Sequence, residues 1–260
     1  MPNGGVGYGG VAASLVLVGV AVVLSLRQGL GFERTLLWAS ARAFAQLLAV
    51  GSALTLVLAD DASVAWAELW VVLMILVAAW TVKARAPEVP GAFGVAAVAL
   101  SLAAGVSQAV LFGLGVFPFR PIAVVPLAGM LLGNSMTGTV AAARRVVAEL
   151  AEHRLEVEAR LALGQAALDA ARPYVRTALR TALTTQIEST KTVGLIALPG
   201  TMTGLILAGV SPVQAVLVQV VVMYLILGAT ATATAVVGVG VTRRLFTPDH
   251  RLVRVARAAG

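Results

Sequence analysis

Six side chains with hydrogen-bonding or charge chemistry sit in or at the ends of long apolar runs: Arg42 and Gln46, Asn134 and Ser135, and Glu188 and Lys191. An ionisable group in hydrocarbon is costly unless it meets an opposite charge or a water-filled path. Glu188 and Lys191 are one helical turn apart, the spacing of an ion pair. Two accounts fit these residues. In one, Arg42, Glu188 and Lys191 form a structural ion pair, or Arg42 snorkels to an interface. In the other, Glu188 stands on a cargo path with the amide of Gln46 or Asn134 nearby. A hard cation would find oxygen ligands in Glu188, Thr190 and Asn134, and a soft one thioethers in Met130, Met136 and Met202. Methionine also fills gaps between packed helices, so these three serve equally as core.

Catalytic signatures are missing. There is no GxxxxGK[ST] loop to cradle nucleotide phosphates. His153 and His250 lie in charged segments without metal-ligand spacing and read as solvated. With no cysteine, disulfides and thiolate metal sites are excluded.

The elements that must position these residues follow from composition. Apolar residues make up 59% of the chain, charged residues 12%, and the mean hydropathy is +0.94. Stretches of about 20 residues almost without charge match the roughly 30 Å of a bilayer core. The ten-residue alternation of a membrane β-barrel is absent. This predicts an all-α integral membrane protein, one membrane domain over 1–260, with seven spans at about 10–26, 35–58, 64–82, 91–114, 121–143, 187–209 and 212–241. The run from Gly10 to Leu26 reads as a retained first helix, not a signal peptide.

The net charge of +7 reports topology rather than nucleic acid. Arg27, Arg34, Lys83, Arg85, the stretch 144–185 and the tail from Arg243 fall in alternate connections, while Asp60, Asp61, Glu68 and Arg120 fall in the others. Positive-inside sorting gives an N-outside, C-inside arrangement.

Between spans five and six stands a charged arm, about 144–185. Val146, Val147, Leu150, Val157 and Leu161 recur at helical steps, which predicts one amphipathic helix continuing out of span five. Gly164 offers a stop and Pro173 a break, so 165–172 is expected to form a short cross-piece at the tip of a helical hairpin. In span six, Leu198-Pro199-Gly200 removes a backbone donor and predicts a broken helix. Gly129, Gly133 and Gly138 suit close helix packing.

The order Glu158-Ala159 with Gly164 five residues on resembles the coupling loop of ABC-transporter permeases. Arg160 replaces its third-place alanine, and Tyr174-Val175-Arg176-Thr177 stands where an Ile-x-Leu-Pro belongs. A longer pattern is more specific: Pro126-Leu-Ala-Gly-Met-Leu-Leu-Gly-Asn-Ser-Met-Thr-Gly138 before the arm, Lys191-Thr-Val-Gly-Leu-Ile-Ala-Leu-Pro-Gly-Thr-Met-Thr-Gly204 after it, and Arg42-x-x-x-Gln46-Leu47 upstream. Together they resemble the FetB-like family of ABC permeases, which includes bacterial iron-export permeases and plant proteins linked to aluminium tolerance. The resemblance runs from about Arg34 to Arg251.

It implies a permease that exports metal ions such as iron across the cytoplasmic membrane, with no cofactor of its own and no enzymatic activity. ATP and Mg would be handled by a separate nucleotide-binding subunit, in an assembly of two permeases and two ATPases. Glu158, Ala159, Gly164, Gln165, Asp169 and Arg172 would contact that partner. Arg42, Gln46, Asn134, Ser135, Glu188, Lys191 and Pro199 are the translocation-path candidates, and Glu188, Met130, Met136 and Met202 the metal-ligand candidates. Rival readings are another cargo such as a nucleotide sugar, an ATP-independent carrier or channel, and a membrane scaffold.

Overall fold

The computed structural model describes residues 8–57, 63–194, 198–247, 249 and 251–253. The Asp60-Asp61 turn, residues 195–197 and His250 lie outside them. The regular structure of the described residues is helical, and an isolated bridge joins Phe246 to Leu252. It divides into two compact units, Met1–Ala62 and Ser63–Gly260.

The first unit is a hairpin of α1 (Tyr8–Gln28) and α2 (Glu33–Val57). Gly29 and Gly31 turn the chain with left-handed backbones, at φ 63° and 71°. Ser25, the buried polar residue of the pair, donates its hydroxyl to Glu33 Oε1 at 2.9 Å and accepts the Phe32 amide at 3.2 Å. Two orphan groups at the turn are thereby satisfied within the hairpin.

The second unit contains α3 (Val64–Arg85), α4 (Ala92–Gly113), α5 (Pro121–Glu152), α6 (Arg154–Ala162), α7 (Ala167–Thr192), α8 (Gly200–Leu207) and α9 (Pro212–Arg244). Its residue gradient is that of a membrane bundle. Alanines such as Ala79, Ala96, Ala99, Ala142 and Ala233 are fully buried or nearly so, while Leu69, Leu76, Trp80, Leu102 and Leu217 face outward. Lipid solvates large apolar side chains, so small residues gain more by letting backbones approach. Gly138 rests on Thr230, Gly238 on Leu179 and Gly240 on Val95, each so closely that a Cβ would collide.

Five described helices are long and apolar enough to cross a bilayer: α2 through Thr55, α3, α4, α5 and α9. The described apolar part of α1 runs from Ala12 to Gln28. Expected spans one to five and seven therefore coincide with α1 to α5 and α9. Span six is not one helix: α7 stops at Thr192, Gly194 is left-handed at φ 85°, and Pro199 caps the eight-residue α8. Eight residues rise only about 12 Å.

At 32 residues, α5 is about 48 Å long and outruns the hydrocarbon. Beyond it the arm departs from expectation in two ways. Its helix is not continuous, because His153 takes φ −98°, ψ 26° and bends the chain into α6. Two bonds span the bend: the His153 amide donates to Glu149 O, and His153 O accepts from Val157 N, each at 3.0 Å. Nor is 165–172 a separate cross-piece, since α7 begins at Ala167 and runs unbroken through Pro173. The proline removes one bond, to Asp169 O. Asp169 and Pro173 are both exposed, so that carbonyl faces outward, while Ala170, Ala171, Tyr174 and Ala178 hold the helix from its buried side.

Candidate functional site

The arm's turn is built as a complete helix stop. Gly164 sits at φ 83°, its amide donates to Leu161 O at 2.9 Å, and the Gln165 amide donates to Arg160 O at 3.1 Å. This paired closure needs a left-handed residue, which glycine supplies without strain. Ala159, Gly164, Gln165, Asp169 and Arg172 are all exposed, and Glu158 is partly exposed. Glu158 accepts from Arg154 Nε at 2.6 Å, and Arg154 Nη2 also donates to Leu252 O at 2.9 Å. The segment after α9 thus reaches the base of α6. It is held there by the Val253 amide on Leu245 O at 2.8 Å and by burial of Leu252.

Above the turn lies a cluster that the sequence reading took for solvated surface. His153 stacks on Tyr174 with ring centroids 4.8 Å apart and planes at 22°. Its Nδ1 is 3.0 Å from Glu156 Oε1, and the Tyr174 hydroxyl donates to Glu156 Oε2 at 2.7 Å. The hydrogen bond to Glu156 raises the His153 pKa above its ordinary value, helped by the nearby charges of Glu156, Glu149 and Glu152. Glu156 is held below the usual carboxylate range by His153 first and Tyr174 second. The same bond to Glu156 pushes the Tyr174 hydroxyl upward. No motif marks this cluster; its only sequence signal is the i, i+3 pair of His153 and Glu156.

The path candidates separate. On α5, Asn134 is exposed and turns its Nδ2 back to Met130 O at 2.8 Å, while the next residue, Ser135, is fully buried. Met130 faces α8, where Thr201 approaches its sulfur at 3.9 Å. Met136 instead packs against the core of Ala79, Val82 and Ala96. Met202 and Pro199 are partly exposed on and before α8. Glu188 and Lys191 form the expected pair at 2.8 Å, both well exposed. Arg42 and Gln46 are exposed on α2 of the first unit. Among the described residues no group of three or more His, Cys, Asp or Glu gathers as a metal site.

Four buried hydroxyls, missed as a group, lie on the packed faces of α5 and α9. Ser135, Thr139, Thr230 and Thr234 are at most 2% exposed and have no hydrogen-bond partner among the described residues. Elsewhere threonines return their hydroxyls to the carbonyl four residues back, as Thr137, Thr232 and Thr242 do on these same two helices. The Ala-Thr alternation at 229–234 was the available signal, since Thr230 and Thr234 share a helix face and Thr232 does not.

Helix lengths, the small-inside residue gradient and the polar arm define an integral membrane protein built from helices. Residues 8–246 match the family described as "Uncharacterised protein family (UPF0014)", and the chain belongs to that family. It is 42% identical over 218 residues to the "UPF0014 membrane protein STAR2" of Oryza sativa subsp. japonica, covering 84% of this chain and 76% of that one. It is 33% identical over 244 residues to the "Probable iron export permease protein FetB" of Escherichia coli (strain K12), covering 94% and 93%. It is 38% identical over 218 residues to the "Protein ALUMINUM SENSITIVE 3" of Arabidopsis thaliana, covering 84% and 80%. No solved structure matches the chain.

Proposed function

We propose that this chain is the permease subunit of an ABC transporter exporting metal ions, iron first among them, across the cytoplasmic membrane. A separate nucleotide-binding subunit binds and hydrolyses ATP with Mg, and two permeases join two such subunits. The observation that carries the reading is the end of the arm. Leu155 and Leu163 are 80% and 82% exposed on a hairpin that is otherwise strongly charged. Large apolar side chains left bare among charges, outside the apolar length of α5, suit a protein partner rather than water. Family membership and the relative named as an iron export permease support both the drive and the cargo.

The basic ends of the second unit support the orientation. Arg144 pairs with Glu88 at 2.8 Å, and Arg244 lies against Gly91, so the α3–α4 connection, the arm and the end of α9 share one end of the bundle. Positive-inside sorting makes that end cytoplasmic, with the N-terminus outside. Glu158, Ala159, Gly164, Gln165, Asp169 and Arg172 then form the contact with the ATPase, and Asn134, Glu188 and Lys191, the exposed path candidates of the second unit, face the route between permeases.

The test is Leu163→Asp in the full chain, expressed with a candidate ATPase subunit from the same organism. Loss of copurification and of permease-stimulated ATP hydrolysis is expected while the permease stays in the membrane. Intact assembly with full stimulation would sink the reading. Iron-stimulated hydrolysis by the reconstituted pair, compared with other metals and a nucleotide sugar, decides the cargo.

A further inference from the structure

At His153 the arm bends with backbone hydrogen bonds on both sides, from the His153 amide to Glu149 O and from the Val157 amide to His153 O, which makes it a joint rather than a break. Three elements meet there. From α5 come Glu149, whose Oε2 is 3.6 Å from His153 Nε2, and Glu152. Arg145 of the same helix holds the other oxygen of Glu149 at 2.7 Å. From α6 come Glu156 at 3.0 Å and Arg160, whose guanidinium lies 5.9 Å over the Tyr174 ring. From α7 comes Tyr174, stacked on the imidazole and bonded to Glu156. The Glu156 carboxylate is thus held at one oxygen by His153 at the joint and at the other by Tyr174 of α7.

We propose that His153 is a positioning residue that latches α6 onto α7, and that its charge state sets how firmly the arm's end is held. This rests on the arm being the contact with the ATPase. The imidazolium donates from both nitrogens, toward Glu156 and toward Glu149, and its bond to Glu156 is charge-assisted. Neutral imidazole keeps one donor, so one of the two carboxylates then faces a lone pair. The His153 pKa is raised, so the latch is complete below the ordinary histidine value and is lost as pH rises through the raised one. The Glu156 pKa is lowered, so its part is present above the ordinary carboxylate value and fails only as pH falls through the lowered one. Between those limits the latch is closed, and a pH above the raised histidine value opens it.

The absence of cysteine lets two labels be placed cleanly, at Ala148→Cys on α5 and Leu163→Cys at the turn, both exposed sites. Spin-label distances would be read on the full-length permease in nanodiscs, from mildly acidic to mildly alkaline pH. The expected result is a distribution that broadens as pH rises. In His153→Phe, which keeps the ring stack and discards the charge, it should be broad at every pH. Tyr174→Phe, which keeps the stack and loses the hydroxyl, should broaden the distribution below the transition, because Glu156 then loses its hydrogen bond to α7. A distribution that ignores pH, or one whose pH response survives in His153→Phe, overturns the proposal. This readout needs no partner, so pH-dependent distances with no arm-dependent ATPase stimulation would fail the transport reading and leave the latch standing.

Discussion

Polar groups in the arm and polar groups at membrane depth are treated in opposite ways. In the arm, where water is at hand, Glu149, Glu156 and Glu158 each hold a side-chain partner from within the protein. On the packed faces of α5 and α9, where hydrocarbon surrounds the bundle, four hydroxyls are buried with no partner among the described residues. An apolar surrounding makes an unmet hydroxyl more costly, so the difference runs against stability. The arm's network fixes one geometry. The α5–α9 contact leaves polar capacity unused, held by close packing of Gly138 on Thr230 rather than by directed bonds.

Filling that contact should have the largest effect. Gly138→Val puts a branched side chain where even a Cβ would lie 2.6 Å from Thr230 Cγ2, and overpacking of this kind costs about 1–3 kcal/mol. The measurement is Tm of the purified permease, and an unchanged value would mean that α5 and α9 are not in contact. Removing the unmet hydroxyls should act with the opposite sign. Thr230→Val or Thr234→Val keeps the shape and is expected to stabilise by about 1 kcal/mol, read as a higher denaturation midpoint. A loss of stability instead would show that the hydroxyls do find partners.

On the arm's side of the comparison, Glu156→Gln leaves His153 and Tyr174 without their shared charge. With the latch undone at every pH, partner stimulation should no longer change as pH rises through the His153 transition, with little change in global Tm. Smallest is Glu188→Gln: its pair with Lys191 is exposed and local, so stability should move by no more than about 0.5 kcal/mol. A change in metal-stimulated turnover from the same substitution would mark Glu188 as a path residue and not merely half of an ion pair.

Spans and the buried face of the arm were legible because each rests on repetition. Val146, Val147, Leu150 and Val157 recur at helical steps, and all four are buried. The joint at His153 was not legible, since no glycine or proline marks the bend. Pro173 misled for the converse reason: its missing donor matters little where the orphaned carbonyl is exposed and four buried neighbours hold the helix. Around the candidate path, the Glu188–Lys191 pair could be read from spacing alone. That Asn134 and Ser135 serve opposite faces, and that Met130 and Met136 meet different neighbours, depends on which helices surround α5, and one sequence does not contain that information.

The unbroken length of α5 carries a mechanical consequence. One rod runs from Pro121 past Asn134 to Glu152, interrupted by nothing softer than Pro126 near its far end. A stiff rod carries a displacement along its length, and α5 is packed from Val124 to Leu150, so whatever moves the end at His153 presses on every neighbour α5 touches. The residues along it then feel a push on the arm at the same moment, without any relay of side chains between them.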